Sequence, residues 1–81
     1  MQKYKNLNND SEVEAYDIDE DYVLIKFKNN VRYLYNEHHT GKENLEILKK
    51  LAKEGKGLNH FINEHLAKKH AKVFNKKKLK N

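Results

Sequence analysis

The sequence predicts an α+β fold: a three-stranded antiparallel β-meander followed by two α-helices packed on one face. Two observations carry this prediction. Apolar residues alternate with period two between Glu12 and Asn36, the mark of half-buried strands, and recur at helical spacing from Leu45 onward. Clusters of Asn or acidic residues then separate the strands, and Gly55 and Gly57 separate the helices. With 81 residues there is room for one domain. Residues 1–10, MQKYKNLNND, are polar and unpatterned and read as a flexible leader. The folded body is expected over residues 11–74, and residues 75–81 read as a basic, disordered tail.

Strands are expected at about Glu12–Ile18, Tyr22–Lys28 and Val31–Asn36. Asn29-Asn30 reads as a two-residue hairpin loop, because Asn tolerates the positive φ such turns require. That register pairs Lys26 with Tyr33 and Leu24 with Tyr35, and it sends Val23, Ile25, Phe27 and Leu34 to the core. The first connection reads as three residues, Asp19-Glu20-Asp21, which brings Val13 and Ala15 onto the core face. Glu14 then faces Lys26 and Glu12 faces Lys28 on the outer face, alongside Tyr16, Tyr33 and Tyr35.

Thr40-Gly41-Lys42-Glu43 has the form of a capping box at the start of a helix. Leu45, Leu48, Leu51 and Ala52 give that helix its apolar stripe, and Gly55 ends it. A second helix is expected from Leu58 or Asn59, with Leu58, Phe61, Ile62, Leu66, Lys69 and Val73 along one stripe. The predicted core comprises Val13, Ile25, Phe27, Leu48, Leu51, Phe61, Ile62 and Leu66.

A chain this short buries only a little over ~60% of its unfolded surface, so the core is thin. Without cysteine there is neither a disulfide nor a thiolate zinc site, which suits a reducing cytoplasm. No apolar run is long enough to span a bilayer, and no signal peptide is expected at the N-terminus. The abundance of Asn and Lys points to an AT-rich genome such as that of a phage or mobile element.

The net charge of +5 is unevenly spread. Met1 to Leu48 carries six Lys or Arg against ten Asp or Glu, whereas Lys49 to Asn81 carries eleven Lys against Glu54 and Glu64. Attraction to an anionic partner would come from the second part.

Catalytic constellations are missing from the sequence. His60, His65 and His70 are spaced by five, which scatters them around a helix, and His38-His39 have no third ligand nearby. No metal site and no cofactor are therefore expected. Ser11 and Thr40 are the only non-phenolic hydroxyls, with Thr40 assigned to a helix cap. Asp17, Asp19, Glu20 and Asp21 lack the order of a calcium loop and read as a solvated turn. Gly55-Lys56-Gly57 lacks the spacing of a phosphate loop.

The order Ser11-Glu-Val13-Glu-Ala15-Tyr16-Asp17, an alternating strand, Tyr33-Leu-Tyr35 and Leu58-Asn59-His-Phe-Ile62 resembles the KTSC domain family, named after the C-terminus of some lysyl-tRNA synthetases. The resemblance spans roughly Ser11 to Leu66. Asn30 stands where the family has a turn Gly, and Glu37-His-His-Thr-Gly41 replaces a Val-Pro step. The resemblance implies the same α+β fold and hints at RNA.

The expected function is that of a non-enzymatic binding module contacting RNA or another nucleic acid. Lys68, Lys69, Lys72, Lys76, Lys77, Lys78 and Lys80 follow Glu64 with no acid among them. On a helix, Lys68, Lys69, Lys72 and Lys76 would form one basic side, a footprint for a phosphate backbone. Tyr33 and Tyr35 would offer stacking surfaces on the outer sheet face. The alternative is a protein-interaction module in which Asp17, Asp19, Glu20 and Asp21 imitate a phosphate strand towards a host nucleic-acid-handling protein.

Overall fold

The computed structural model describes residues 1–9 and 11–75. An antiparallel sheet of five strands runs in sequence order: β1 (Gln2–Lys3), β2 (Val13–Ile18), β3 (Tyr22–Phe27), β4 (Val31–Asn36) and β5 (Lys72–Asn75). Between β4 and β5 lie the short α1 (Glu37–Thr40), then α2 (Lys42–Glu54) and α3 (Leu58–His65). The α+β class and the central meander agree with expectation. The two outer strands are additions, and two registers differ.

The β3–β4 loop has three residues, Lys28-Asn29-Asn30, not two. Asn30 N donates to Phe27 O at 2.9 Å, Asn30 sits at φ 71°, and Asn29 Oδ1 accepts from Val31 N at 3.0 Å. This is a turn closed by a left-handed residue, the common three-residue hairpin. The pairs become Val23 with Tyr35 and Ile25 with Tyr33. The extra loop residue turns β4 over, so Tyr33 and Tyr35 face the helices and Leu34 faces outward. Burial decides the matter. The expected register would have put Arg32, Leu34 and Asn36 inward, whereas the observed one puts Val31, Tyr33 and Tyr35 there.

β2 resolves a similar conflict with a bulge. Asp19 N donates to Tyr22 O at 2.9 Å, which leaves a two-residue turn of Glu20 and Asp21. Val13 still pairs with Phe27, yet Ala15 pairs with Lys26 and Tyr16 with Ile25, so Glu14 is the extra residue. Val13, Tyr16 and Ile18 thereby point inward in place of Val13, Ala15 and Asp17. Tyr16 is buried, not on the outer face. Lys26 Nζ nevertheless lies 3.7 Å from Glu14 Oε1, so the anticipated pairing of these charges survives the changed register.

Residues 1–9 are not a loose leader. Tyr4 N donates to Glu14 O at 2.9 Å, Leu7 N donates to Gly55 O at 2.7 Å, and the Tyr4 ring is only 2% exposed. The segment crosses the α2–α3 junction at Gly55, where φ is 85° and an added Cβ would stand 2.6 Å from Lys5 Cβ. Gly55→Ala should lower stability by about 1–3 kcal/mol through backbone strain alone, with the clash added. Gly57→Ala shares the strained φ but meets nothing closer than 3.8 Å, so it should cost less in a urea titration.

α1 is capped by Asn36, whose Oδ1 accepts from His39 N at 3.0 Å. α2 begins after Gly41 without a side-chain cap. Thr40 is not the cap: its Oγ1 donates to Lys69 O at 2.7 Å, tying the start of the helical layer to the segment before β5. α2 ends at Gly55, whose N–H bonds Leu51 O.

α3 stops at His65, well short of the expected end near Val73. Leu58, Ile62 and Leu66 are buried, but the next turn of a helix would bring only Lys69 and His70 to that face. Unwinding instead lets Lys72–Asn75 pair with β4 and satisfy its free edge, with Tyr33 opposite Val73 and Leu34 opposite Lys72. Lys68, Lys69 and Lys72 therefore do not lie on the expected basic helix, and Lys76 falls outside the described residues.

The core comprises Tyr4, Val13, Tyr16, Val23, Ile25 and Tyr35 from the sheet side. Leu45, Leu48, Ala52, Leu58, Ile62 and Leu66 close it from the helical side. Phe27, Leu51 and Phe61, expected at full depth, pack against it only half-buried.

Candidate functional site

The two faces of the sheet present different chemistry, and the sequence sets each one. Among the described residues no helix covers the outer face. Along β3 it shows Tyr22, Leu24 and Lys26, along β4 Arg32 and Leu34, and along β5 Lys72 and Phe74. Cross-strand pairing brings Leu24 to Leu34, Lys26 to Arg32, Arg32 to Phe74 and Leu34 to Lys72. Lys72 Nζ stands 6.0 Å from the centre of the Phe74 ring, at the limit of a cation–π contact. Phe74 is 44% exposed, and Arg32 Nε is buried with no hydrogen-bond partner among the described residues. Three cations thus surround a small apolar patch, opposed locally by Glu14 and Asp17.

The inner face is covered by α2 and α3 except beside the β3–β4 turn. There a cleft of about 320 Å³ opens between the hairpin and the C-terminal half of α3. Phe27, Tyr33 and Tyr35 line it from the sheet, and Ile62, Asn63 and Ala67 from the other side. Glu12, Lys28 and Asn29 form the rim. Phe27 and Tyr33 meet edge to face with centroids 5.4 Å apart, while Tyr33 and Tyr35 lie nearly parallel, 14° between planes and 6.3 Å between centroids. His70, carried in by the segment leading to β5, stands edge-on to Tyr33 at 4.8 Å and to Tyr35 at 6.4 Å. Burial pushes ionisation of the Tyr35 hydroxyl well above its ordinary range, and the neighbouring Tyr33 adds to the effect. Tyr35 is therefore a neutral phenol at physiological pH.

The residues anticipated for nucleic-acid binding are dispersed. Tyr33 and Tyr35 come together, but on the inner face, and Tyr35 is 1% exposed. The pair cannot be a stacking platform on the outer surface. Lys68 and Lys69 lie exposed between α3 and β5, and Lys72 lies on the outer face. Lys76, Lys77, Lys78 and Lys80 fall outside the described residues, as does Asp10. Asp17, Asp19, Glu20 and Asp21 are exposed together at the β2–β3 turn, where Lys49 Nζ donates to the backbone oxygen of Glu20 at 3.0 Å.

Sequence reasoning missed Arg32, Leu34 and Phe74 as surface groups and His70 as a cleft neighbour. The pairing of Val73 and Phe74, two good strand formers in a lysine-rich stretch, was the signal that could have found β5. Among the described residues no three of His, Cys, Asp or Glu converge to hold a metal ion. None of the described helices is long and apolar enough to cross a membrane. Comparison of the chain with family models, with curated proteins and with solved structures gave no match.

Proposed function

We propose that this chain is a non-enzymatic binding module that takes single-stranded nucleic acid, RNA in the first instance, on the uncovered face of its sheet. The observation that carries the reading is the grouping of Lys26, Arg32 and Lys72 around Leu24, Leu34 and Phe74. Cations at that spacing meet phosphates, and an exposed ring between them meets a base. Lys68 and Lys69 add charge next to the same strand, and Lys76, Lys77, Lys78 and Lys80 follow it in sequence. The non-enzymatic part of the reading is supported by the two aliphatic hydroxyls, both buried in structural roles. Ser11 Oγ accepts from Val13 N at 3.0 Å, and Thr40 Oγ1 bonds Lys69 O.

The likeness to the KTSC family is part of this proposal. Of its motif residues, Ser11, Val13, Tyr16, Tyr35, Leu58 and Ile62 are buried, so the spacing that carries the likeness is the spacing of the core. It supports the fold more than it supports a ligand.

Titration of labelled single-stranded RNA at several salt concentrations tests the reading. Arg32→Ala with Lys72→Ala should weaken binding about equally across sequences and flatten the log–log salt slope by about 0.7 per lost contact. Absence of binding at low salt would sink the proposal. Loss of a protein partner on changing Asp17, Asp19 and Asp21 to Lys, with RNA binding absent, would favour the acidic turn as the working surface.

A further inference from the structure

β5 closes the five-strand order, and we infer that its open edge takes an extended acidic peptide as a further strand. Among the described residues no strand lies beyond it. The direction of its backbone groups follows from the pairing with β4. Ala71 N donates to Leu34 O at 2.7 Å, so Leu34 turns its carbonyl towards β5. Lys72 opposite Leu34, and Phe74 opposite Arg32, then turn their N–H and C=O back to β4. Val73 and Asn75 alternate with these two and present their backbone groups to the open edge.

The side chains of the edge call for a cover. Val73 and Phe74 are each 44% exposed, one on the helical face of the sheet and the other on the uncovered face. A strand laid along β5 shelters both. The opposite edge of the sheet, β1, shows only Gln2 and Lys3 and offers no such apolar pair.

Backbone and charge together define the occupant. An open strand edge alternates donors with acceptors, and a peptide backbone supplies both at the matching spacing. A phosphate chain supplies acceptors alone, so nucleic acid suits the face and not the edge. From Ala67 to Asn81 the sequence holds seven Lys and no acid. Lysines on an edge repel a second copy of the same strand, because like charges would stand opposite one another. Acidic side chains reverse that term. The fitting segment therefore alternates acids, beside Lys72, with β-branched apolar residues, beside Val73. Strand addition of this kind draws affinity from the main chain and specificity from alternate side chains.

The test is an NMR titration of the full chain with a seven-residue peptide alternating Glu and Val. Its amide exchange should slow at Val73 and Asn75. A peptide with Lys in place of each Glu should leave both amides unchanged. Methylation of alternate peptide nitrogens removes ladder donors without altering charge, and should weaken binding by about tenfold or more. Lys72→Glu should weaken binding of the acidic peptide about fivefold and confer binding of the lysine peptide, a gain that an unfolded variant could not show. Arg32→Ala should weaken RNA binding on the outer face and leave peptide binding intact, so failure of that reading and failure of this one are separable. No slowing at Val73 and Asn75 with the acidic peptide overturns the inference. Equal slowing by the lysine peptide, or slowing by single-stranded RNA in place of the acidic peptide, overturns it as well.

Discussion

Leu48→Ala is expected to destabilise the domain by about 2–5 kcal/mol, the range for emptying a fully enclosed leucine site. Leu48 is 0% exposed and sits in the middle of α2, at the centre of the contact between helices and sheet. Domains of this size have total stabilities of about 4–12 kcal/mol, so the variant should lose a large share of its stability. Urea unfolding followed by circular dichroism reads the effect. Phe27→Ala should cost less than a buried phenylalanine normally does, because one side of its ring faces the cleft and not packed atoms. A loss below about 1 kcal/mol for Leu48→Ala would show that the helical layer is not seated as described.

Tyr4→Ala should be nearly as damaging, by about 3–5 kcal/mol, although the residue stands in a polar segment close to the N-terminus. Two losses combine there. The ring belongs to the core cluster, and its hydroxyl accepts the N–H of Leu58 at 3.3 Å, one of the free donors at the start of α3. Tyr4→Phe isolates the second loss and should cost roughly 1–3 kcal/mol, for an unsatisfied buried donor. Leu7→Ala supplies the contrast, since Leu7 is 61% exposed and its removal should be nearly silent. Equal effects at Tyr4 and Leu7 would return residues 1–9 to the status of a leader.

Local signals in the sequence located most elements, and long-range choices escaped it. The strands at Val13–Ile18, Tyr22–Phe27 and Val31–Asn36 fall within a residue or so of expectation, because sustained alternation is what a half-buried strand imposes on its residues. The end of α2 follows from Gly55 in the same way. What failed was register, which hangs on single residues. Asn30 does adopt positive φ, but that property serves a three-residue loop as well as a two-residue one. The bulge at Glu14 was detectable from the odd spacing of Val13, Tyr16 and Ile18, a break in alternation that a bulge repairs. β1 and β5 escaped because each draws its stability from a partner strand, not from its own residues. The candidate sites inherited these errors. Turning over β4 moved two tyrosines from the surface to a cleft and exchanged them for Arg32 and Leu34.

β5 pairs across a long reach, with Tyr33 opposite Val73, about half the chain away. The β2–β3–β4 meander closes through two tight turns and needs almost no chain entropy to be surrendered before contacts form. β5 must wait until α2 and α3 have docked and carried Ala71 back to β4, so it belongs to the last stage of assembly. It also offers little to keep it in place, since Lys72, Val73 and Phe74 are all exposed. Its opening is a local event that leaves the buried core cluster untouched. Lys72 and Phe74 of the outer face, and the His70 ring beside Tyr33, therefore hang on one late strand, and part of each surface is assembled or dismantled with it without the domain unfolding.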